Sequence, residues 1–117
     1  MDTMAGDPEL RAALTTDRTG TAERIAALSA DLEAIVEASR LVATDDEHDP
    51  EGATIAFERS QTSTFLADAR KHLEDLDSAL ARLDAGDYGR CERCHEPIAV
   101  GRLLARPTAR TCITCAT

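Results

Sequence analysis

Two short motifs near the C-terminal end constrain the fold more than any other part of the chain. Cys91-Glu92-Arg93-Cys94 and Cys112-Ile113-Thr114-Cys115 are separated by 17 residues, and these four are the only cysteines present. A CxxC pair makes a tight knuckle with both sulfurs aimed at one point. Two knuckles, joined by a segment long enough to loop out and return, make a four-thiolate zinc site. The same stretch shows why a metal is needed. Residues 87–117 hold few large apolar side chains (Ile98, Val100, Leu103, Leu104, Ile113) and one aromatic, Tyr88. So small a module cannot close a hydrophobic core and needs a staple. Structural Zn2+ supplies about 10–16 kcal/mol of apparent binding free energy to such a fold.

Other uses of the thiols fit less well. The chain opens Met1-Asp2-Thr3-Met4-Ala5-Gly6-Asp7, without a basic start or an apolar stretch. This predicts a cytoplasmic protein, whose thiols stay reduced rather than forming disulfides. No apolar run approaches the length of a membrane span. Cys91–His95 also reads CxxCH, a haem attachment signal. Haem would need an axial partner, yet both methionines lie at the far N-terminus and the second CxxC would be left over. His95 follows Cys94 directly and has poor geometry for replacing a cysteine ligand, so it reads as an exposed knuckle residue. Oxidative zinc release as a redox signal is also disfavoured, since closed, fully liganded sites are generally inert.

Charge separates the module from the rest. The chain of 117 residues has 13 basic and 22 acidic side chains, a net charge of −9. Residues 82–117 hold six arginines against four acids, whereas residues 1–81 hold seven basic and 18 acidic residues, a balance of −11. An acidic body does not suit sequence-specific DNA binding, where affinity comes from clustered Lys and Arg. It suits docking on a basic protein surface or near a metal-containing cavity.

The periodicity upstream is helical. Asp7-Pro8-Glu9 is a helix start, and the pattern runs to about Val42. Thr15, Thr16, Thr19, Gly20 and Thr21 weaken it, so a kink or break is expected there. From Ile25 the seam is sharp: Ile25, Leu28, Leu32, Ile35, Ser39 and Val42 alternate steps of three and four. Leu66, Ala69, Leu73, Leu76, Leu80 and Leu83 repeat it, placing a second helix over about 53–85 that ends at Gly86. Neither helix can bury its stripe alone. Two matching seams joined by one polar turn predict a mainly α fold: a long antiparallel coiled-coil hairpin with a small C-terminal four-cysteine zinc-finger module. The expected organisation is a partly helical or flexible segment over 1–20, the hairpin over 21–86, and the zinc module over 87–117. A compact bundle is disfavoured because no third long helix is available to cover the pair.

The turn, 44–52, reads Thr-Asp-Asp-Glu-His-Asp-Pro-Glu-Gly. Asp45, Asp46, Glu47, Asp49 and Glu51 crowd seven positions, a density of like charge that costs self-repulsion unless a cation offsets it. Asp45, Glu47 and Asp49 alternate as the first ligands of an EF-hand do, but Pro50 stands where that loop requires glycine. The turn is therefore either a solvated loop or an acidic tip meant for a partner. His48 and His72 stand alone in polar surroundings and read as solvated. No acid–base pair or phosphate loop is fixed by the sequence, so no enzyme is expected.

The run Leu83-Asp-Ala-Gly-Asp-Tyr-Gly-Arg-Cys-Glu-Arg-Cys94, then Pro97-Ile98, then Arg102-Leu-Leu-Ala-Arg-Pro-Thr-Ala-Arg-Thr-Cys-Ile-Thr-Cys115 resembles the DksA/TraR family of bacterial transcription regulators. The length is similar to that of short, actinobacterial-type members. The resemblance implies a monomeric protein that binds RNA polymerase, not DNA. Its coiled-coil tip would enter the secondary channel toward the catalytic Mg2+, its zinc end would rest at the rim, and initiation would change at sensitive promoters. The alternative is a zinc-stabilised coiled-coil adaptor that does not act through the channel. Several residues depart from the family pattern. Family tips carry Asp-x-x-Asp-x-Ala; starting at Asp49 puts Gly52 and Thr54 at the second Asp and the Ala, while starting at Asp46 recovers Asp49 but ends in Glu51. The family's guanosine tetraphosphate (ppGpp) site pairs an arginine, matched by Arg106, with a lysine near the position of Asp75. The reversed charge argues against ppGpp binding in that manner. The glycine common after the first knuckle is His95. Arg102 and Arg106 either brace the zinc module or contact the polymerase rim, with bracing favoured.

Overall fold

The computed structural model describes residues 7–42 and 50–116. Two helices of 36 residues each dominate it, α1 over Asp7–Val42 and α2 over Pro50–Ala85, followed by a single short turn of helix, α3, over Val100–Ala105. Among the described residues the only β pairing is one isolated antiparallel bridge, Arg90 to Pro97. The fold is the mainly helical hairpin with its four cysteines at the C-terminal end.

Both helix starts carry proline in the first turn, Pro8 in α1 and Pro50 in α2, where a fixed φ suits the helix and no amide donor is lost. The second helix thus begins earlier than the seam indicates, and Pro50, Glu51 and Gly52, expected in the turn, are helical. α1 also runs unbroken through its threonine-rich stretch and Gly20, where a break was expected. Burial on this stretch outweighs weak propensity: Leu14 and Thr21 are both buried. α2 stops at Gly86, which takes a left-handed φ of 85°. The amides of Gly86, Asp87 and Tyr88 then turn back to cap the carbonyls of Leu83 and Arg82.

Contacts group the chain into two compact units. In the first, the start of α1 (to Gly20) and the end of α2 (from Leu73) pack with the cysteine module. Arg11 pairs with Asp84 at 2.8 Å and Arg18 with Asp77 at 2.5 Å, so seven residues forward along α1 match seven backward along α2. That is antiparallel pairing. Its core joins Leu10 and Leu14 of α1, Leu76, Ala79 and Leu83 of α2, and Tyr88, Cys91, Ile98 and Leu103 of the module. The first helical turns, read from sequence as partly flexible, therefore supply two of the best-buried leucines.

The second unit, Thr21–His72, is thinner. Among its described residues only Thr21, Leu66 and Ala69 are buried, while Ile25, Leu28, Leu32 and Ile35 are half-exposed. The guanidinium of Arg24 lies over the Phe65 ring, 5.9 Å from its centroid. Two paired helices cover only one stripe of each other, so Leu41 and Phe57 remain 77% and 66% exposed.

This difference in burial predicts a difference in energy. Leu14→Ala should lower the unfolding free energy by about 2–5 kcal/mol, as for a fully buried leucine. Leu28→Ala, which removes a half-exposed side chain, should cost less than about 1.5 kcal/mol. Chemical denaturation of the zinc-loaded protein measures both, and equal losses would contradict the packing described.

Candidate metal centre

Each CxxC folds as a knuckle because backbone amides close it. The His95 amide donates to the Cys91 carbonyl at 2.9 Å, and the Cys115 amide to the Cys112 carbonyl at 3.1 Å. The amides of Arg93 and Cys94 point at the Cys91 sulfur from 3.4 and 3.5 Å. Closing the first knuckle turns His95 into the left-handed region at φ 65°, which explains why glycine is common there in the family that the sequence resembles. Gly89 takes φ 87° where the chain enters the knuckle, and its carbonyl accepts the Ile98 amide at 2.7 Å.

The knuckles face each other. The Sγ atoms of Cys91, Cys94, Cys112 and Cys115 all lie within 4.8 Å of one another, and Cys94 Sγ is 3.8 Å from Cys112 Sγ. A tetrahedron with metal–sulfur bonds of about 2.3 Å has edges of about 3.8 Å, so the cluster has the size and donor set of a tetrathiolate zinc site. Cys91 is fully buried, Cys112 and Cys115 half-buried, and Cys94 exposed, so one edge faces solvent.

The thiols do not share one proton affinity. The Cys94 amide does most to draw Cys91 down to about 6, against the opposing effect of burial, and the amides of Cys112 and Arg93 add to it. The Cys115 amide likewise lowers Cys112. Cys115 is pushed up to about 12, chiefly by its hydrogen bonds to the Cys112 and Cys91 sulfurs. Cys94 is raised on balance by burial and by the Cys91 and Cys112 sulfurs, which outweigh the opposing Glu96 amide. Zinc, binding thiolates, expels the protons that remain.

Arginines stitch the module together. Arg93 donates to the Cys115 carbonyl at 3.2 Å, bridging the two knuckles, and Arg90 donates to the His95 carbonyl at 2.9 Å. Arg102 donates from Nε to the Thr111 carbonyl at 2.9 Å, which is a bracing role. The Arg106 side chain is exposed, and only its backbone amide caps α3, on the Arg102 carbonyl at 2.7 Å. Tyr88 donates its hydroxyl to the Pro107 carbonyl at 2.8 Å, holding the Arg106–Pro107 turn to the core. Arg82 and Arg110 both donate to the Ser78 hydroxyl at 2.8 Å. Burial and the neighbouring Arg110 lower the pKa of Arg82. Spacing alone signalled none of these arginine contacts, because their acceptors are carbonyls and a hydroxyl that leave no pattern.

Of the residues assigned to the acidic tip, Asp45, Asp46, Glu47 and Asp49 lie outside the described residues. Glu51 and Thr54 belong to the first turns of α2, with Thr54 exposed. His72, expected to be solvated, is instead half-buried beside Arg24, Phe65 and Asp68.

Two measurements check this site. Zinc binding near pH 7 should release at least the protons of Cys94 and Cys115. Affinity should therefore weaken by at least about a hundredfold per pH unit on acidification, and more steeply once Cys91 protonates below about 6. Competition with a chelator across pH reads that slope, and a flat profile would be inconsistent with it. Separately, His95→Gly relieves the left-handed strain and should stabilise the zinc-loaded protein by roughly 0.5–1 kcal/mol after the entropy cost of glycine, seen as a raised denaturation midpoint.

Known proteins resemble both the module and the whole chain. Residues 86–117 match the family model of the prokaryotic dksA/traR C4-type zinc finger. The RNA polymerase-binding transcription factor DksA of Haemophilus influenzae is 41% identical over 89 residues, which are 71% of this chain and 61% of that one. Its counterpart of the same name in Escherichia coli K12 is 42% identical over 48 residues, 41% of this chain and 32% of that one. The chain thus spans less than two thirds of the length of these relatives. The solved structure of transcription factor DksA2 from Pseudomonas aeruginosa superposes with a TM-score of 0.76 at 33% identity, covering 96% of this chain and 81% of that one.

Proposed function

This chain belongs to the DksA/TraR family of C4-type zinc-finger proteins, and on that premise we propose that it is a transcription regulator that binds RNA polymerase. In this reading the segment between α1 and α2 enters the secondary channel of the enzyme, the zinc module stays at the rim, and initiation at sensitive promoters changes. The protein works as a cytoplasmic monomer, without catalysis and without sequence-specific contact to DNA.

The observation that carries the reading is a juxtaposition along the chain. Two 36-residue helices pair antiparallel on a C4 module, and the segment joining them carries Asp45, Asp46, Glu47 and Asp49, with Glu51 following in α2. Among the described residues no third long helix thickens the pair. A concentrated negative charge is drawn to basic channel walls and perturbs the coordination or the mobile elements beside a catalytic Mg2+. The relatives named as RNA polymerase-binding factors support the partner. Arg106, exposed beside the zinc site, is the residue best placed to meet the rim, whereas Arg102 is committed to Thr111. With Asp75 where the family has lysine, guanosine tetraphosphate is not an expected ligand at that position.

The test joins capture to transcription. The tagged, zinc-loaded chain should retain core RNA polymerase from its own organism and alter transcript yield from sensitive promoters. Asp45→Asn with Asp46→Asn and Asp49→Asn should leave helix content and zinc intact while reducing the transcription effect by roughly tenfold or more. Capture with an unchanged effect in the triple variant would replace this reading with an adaptor role.

A further inference from the structure

We propose that Arg82, Arg110 and Ser78 form a binding site for a phosphate dianion at the end of α2, beside the zinc module and distinct from the Arg106 and Asp75 positions.

The geometry is that of a fork waiting for an anion. Arg82 Nη1 and Arg110 Nη2 each donate to Ser78 Oγ at 2.8 Å. Two guanidinium groups are thus held together on one neutral oxygen, and their bonds occupy both of its lone pairs. A hydroxyl is a weak acceptor for two full cations, and an oxyanion bridging the two guanidinium groups makes shorter and stronger charge-assisted bonds, leaving the Ser78 hydroxyl to donate to it. Each guanidinium has further N–H donors in a planar fork, which suits the several oxygens of a phosphate group. Two fixed positive charges match its two negative ones.

What currently answers this charge is loose. The nearest carboxylate to Arg110 is Glu92, whose Oε2 lies 3.7 Å from Nη1, longer than a hydrogen bond. Glu92 and Asp75 are the side-chain carboxylates close enough to act on Arg82. The Glu92 side chain is 56% exposed and free to swing away, and Arg110, at 44%, opens the fork to solvent. Arg82 and Ser78 are half-buried and form its floor. The site has a mechanical consequence as well. Arg110 precedes Cys112 by two residues, and its carbonyl accepts the Glu92 amide at 2.9 Å. An anion clasped by both arginines therefore ties the loop between the cysteine knuckles to α2.

The experiment is calorimetric titration of the zinc-loaded full chain with inorganic phosphate at constant ionic strength. In a parallel arm, glycerol 2-phosphate tells free phosphate from a phosphomonoester group. Saturable one-to-one binding of either probe is expected. Arg110→Met should weaken it roughly ten- to hundredfold, the loss of one charged hydrogen-bonding partner, with Arg110→Lys falling between. Glu92→Gln, which removes the competing carboxylate, should tighten binding several-fold. Arg59→Met, an exposed arginine elsewhere on α2, should leave it unchanged. Zinc content and helical circular dichroism confirm that each variant is folded. Non-saturating heats with both probes, an Arg110→Met protein that binds like the original, or an equal loss in Arg59→Met would overturn the assignment.

Discussion

The structure depends on one buried sulfur. Cys91 has no solvent exposure and belongs to the same cluster as Leu10, Leu14, Leu76 and Leu83. It is at once a metal ligand and a core residue. Zinc therefore does more than close a small loop-rich module: through Cys91 it fixes the surface on which the first turns of α1 and the last turns of α2 converge. Within that unit the module has few large side chains of its own, and the helices supply leucines that would otherwise face water. Each completes the other's core, which is why the metal, one tyrosine and a handful of leucines suffice.

The remainder of the helix pair, Thr21–His72, obeys a different balance. Two helices alone cover one stripe each, so its seam residues are half-exposed and its buried set is short. Direct contacts between the helices, such as the stacking of Arg24 on Phe65, supplement the thin packing. Exposed ion pairs add little in water, about 0–1 kcal/mol each, so Arg11–Asp84 and Arg18–Asp77 serve register more than stability. Thermodynamic stability is concentrated at the metal end.

The sequence made the metal site, the two helices and their antiparallel relation legible, because each leaves a spacing: two in CxxC, three and four along a seam, glycine after a last turn. The first helical turns were harder to read for a physical reason. Continued backward from Ile25, the seam passes through Thr21, Arg18 and Leu14, and only the last of these looks like core. Yet Thr21 is buried and Arg18 pairs with Asp77, so the stripe continues through residue types that hide it. His95 is similar. Its side chain carries no message, and the information lies in a backbone angle visible only once the knuckle has closed. Of the arginine network only a bracing role for Arg102 was legible, and its acceptor was not, since a guanidinium donating to a carbonyl does not constrain the identity of the residue that accepts.

That network also bears on how this chain differs from the family it belongs to. The resemblance implies a family lysine near position 75, where this chain has an acid, and positive charge near the base of α2 has another source in this chain. Here it comes from Arg82, one helical turn beyond Ser78, and from Arg110, two residues before Cys112. An arginine at position 110 gains its geometry from the metal knuckle behind it, whereas Arg82 gains rigidity from burial in the floor. A charged pair assembled in this way is only as well ordered as the zinc site that positions half of it. In the proposed site, order at the end of α2 is therefore coupled to metal occupancy through Arg110.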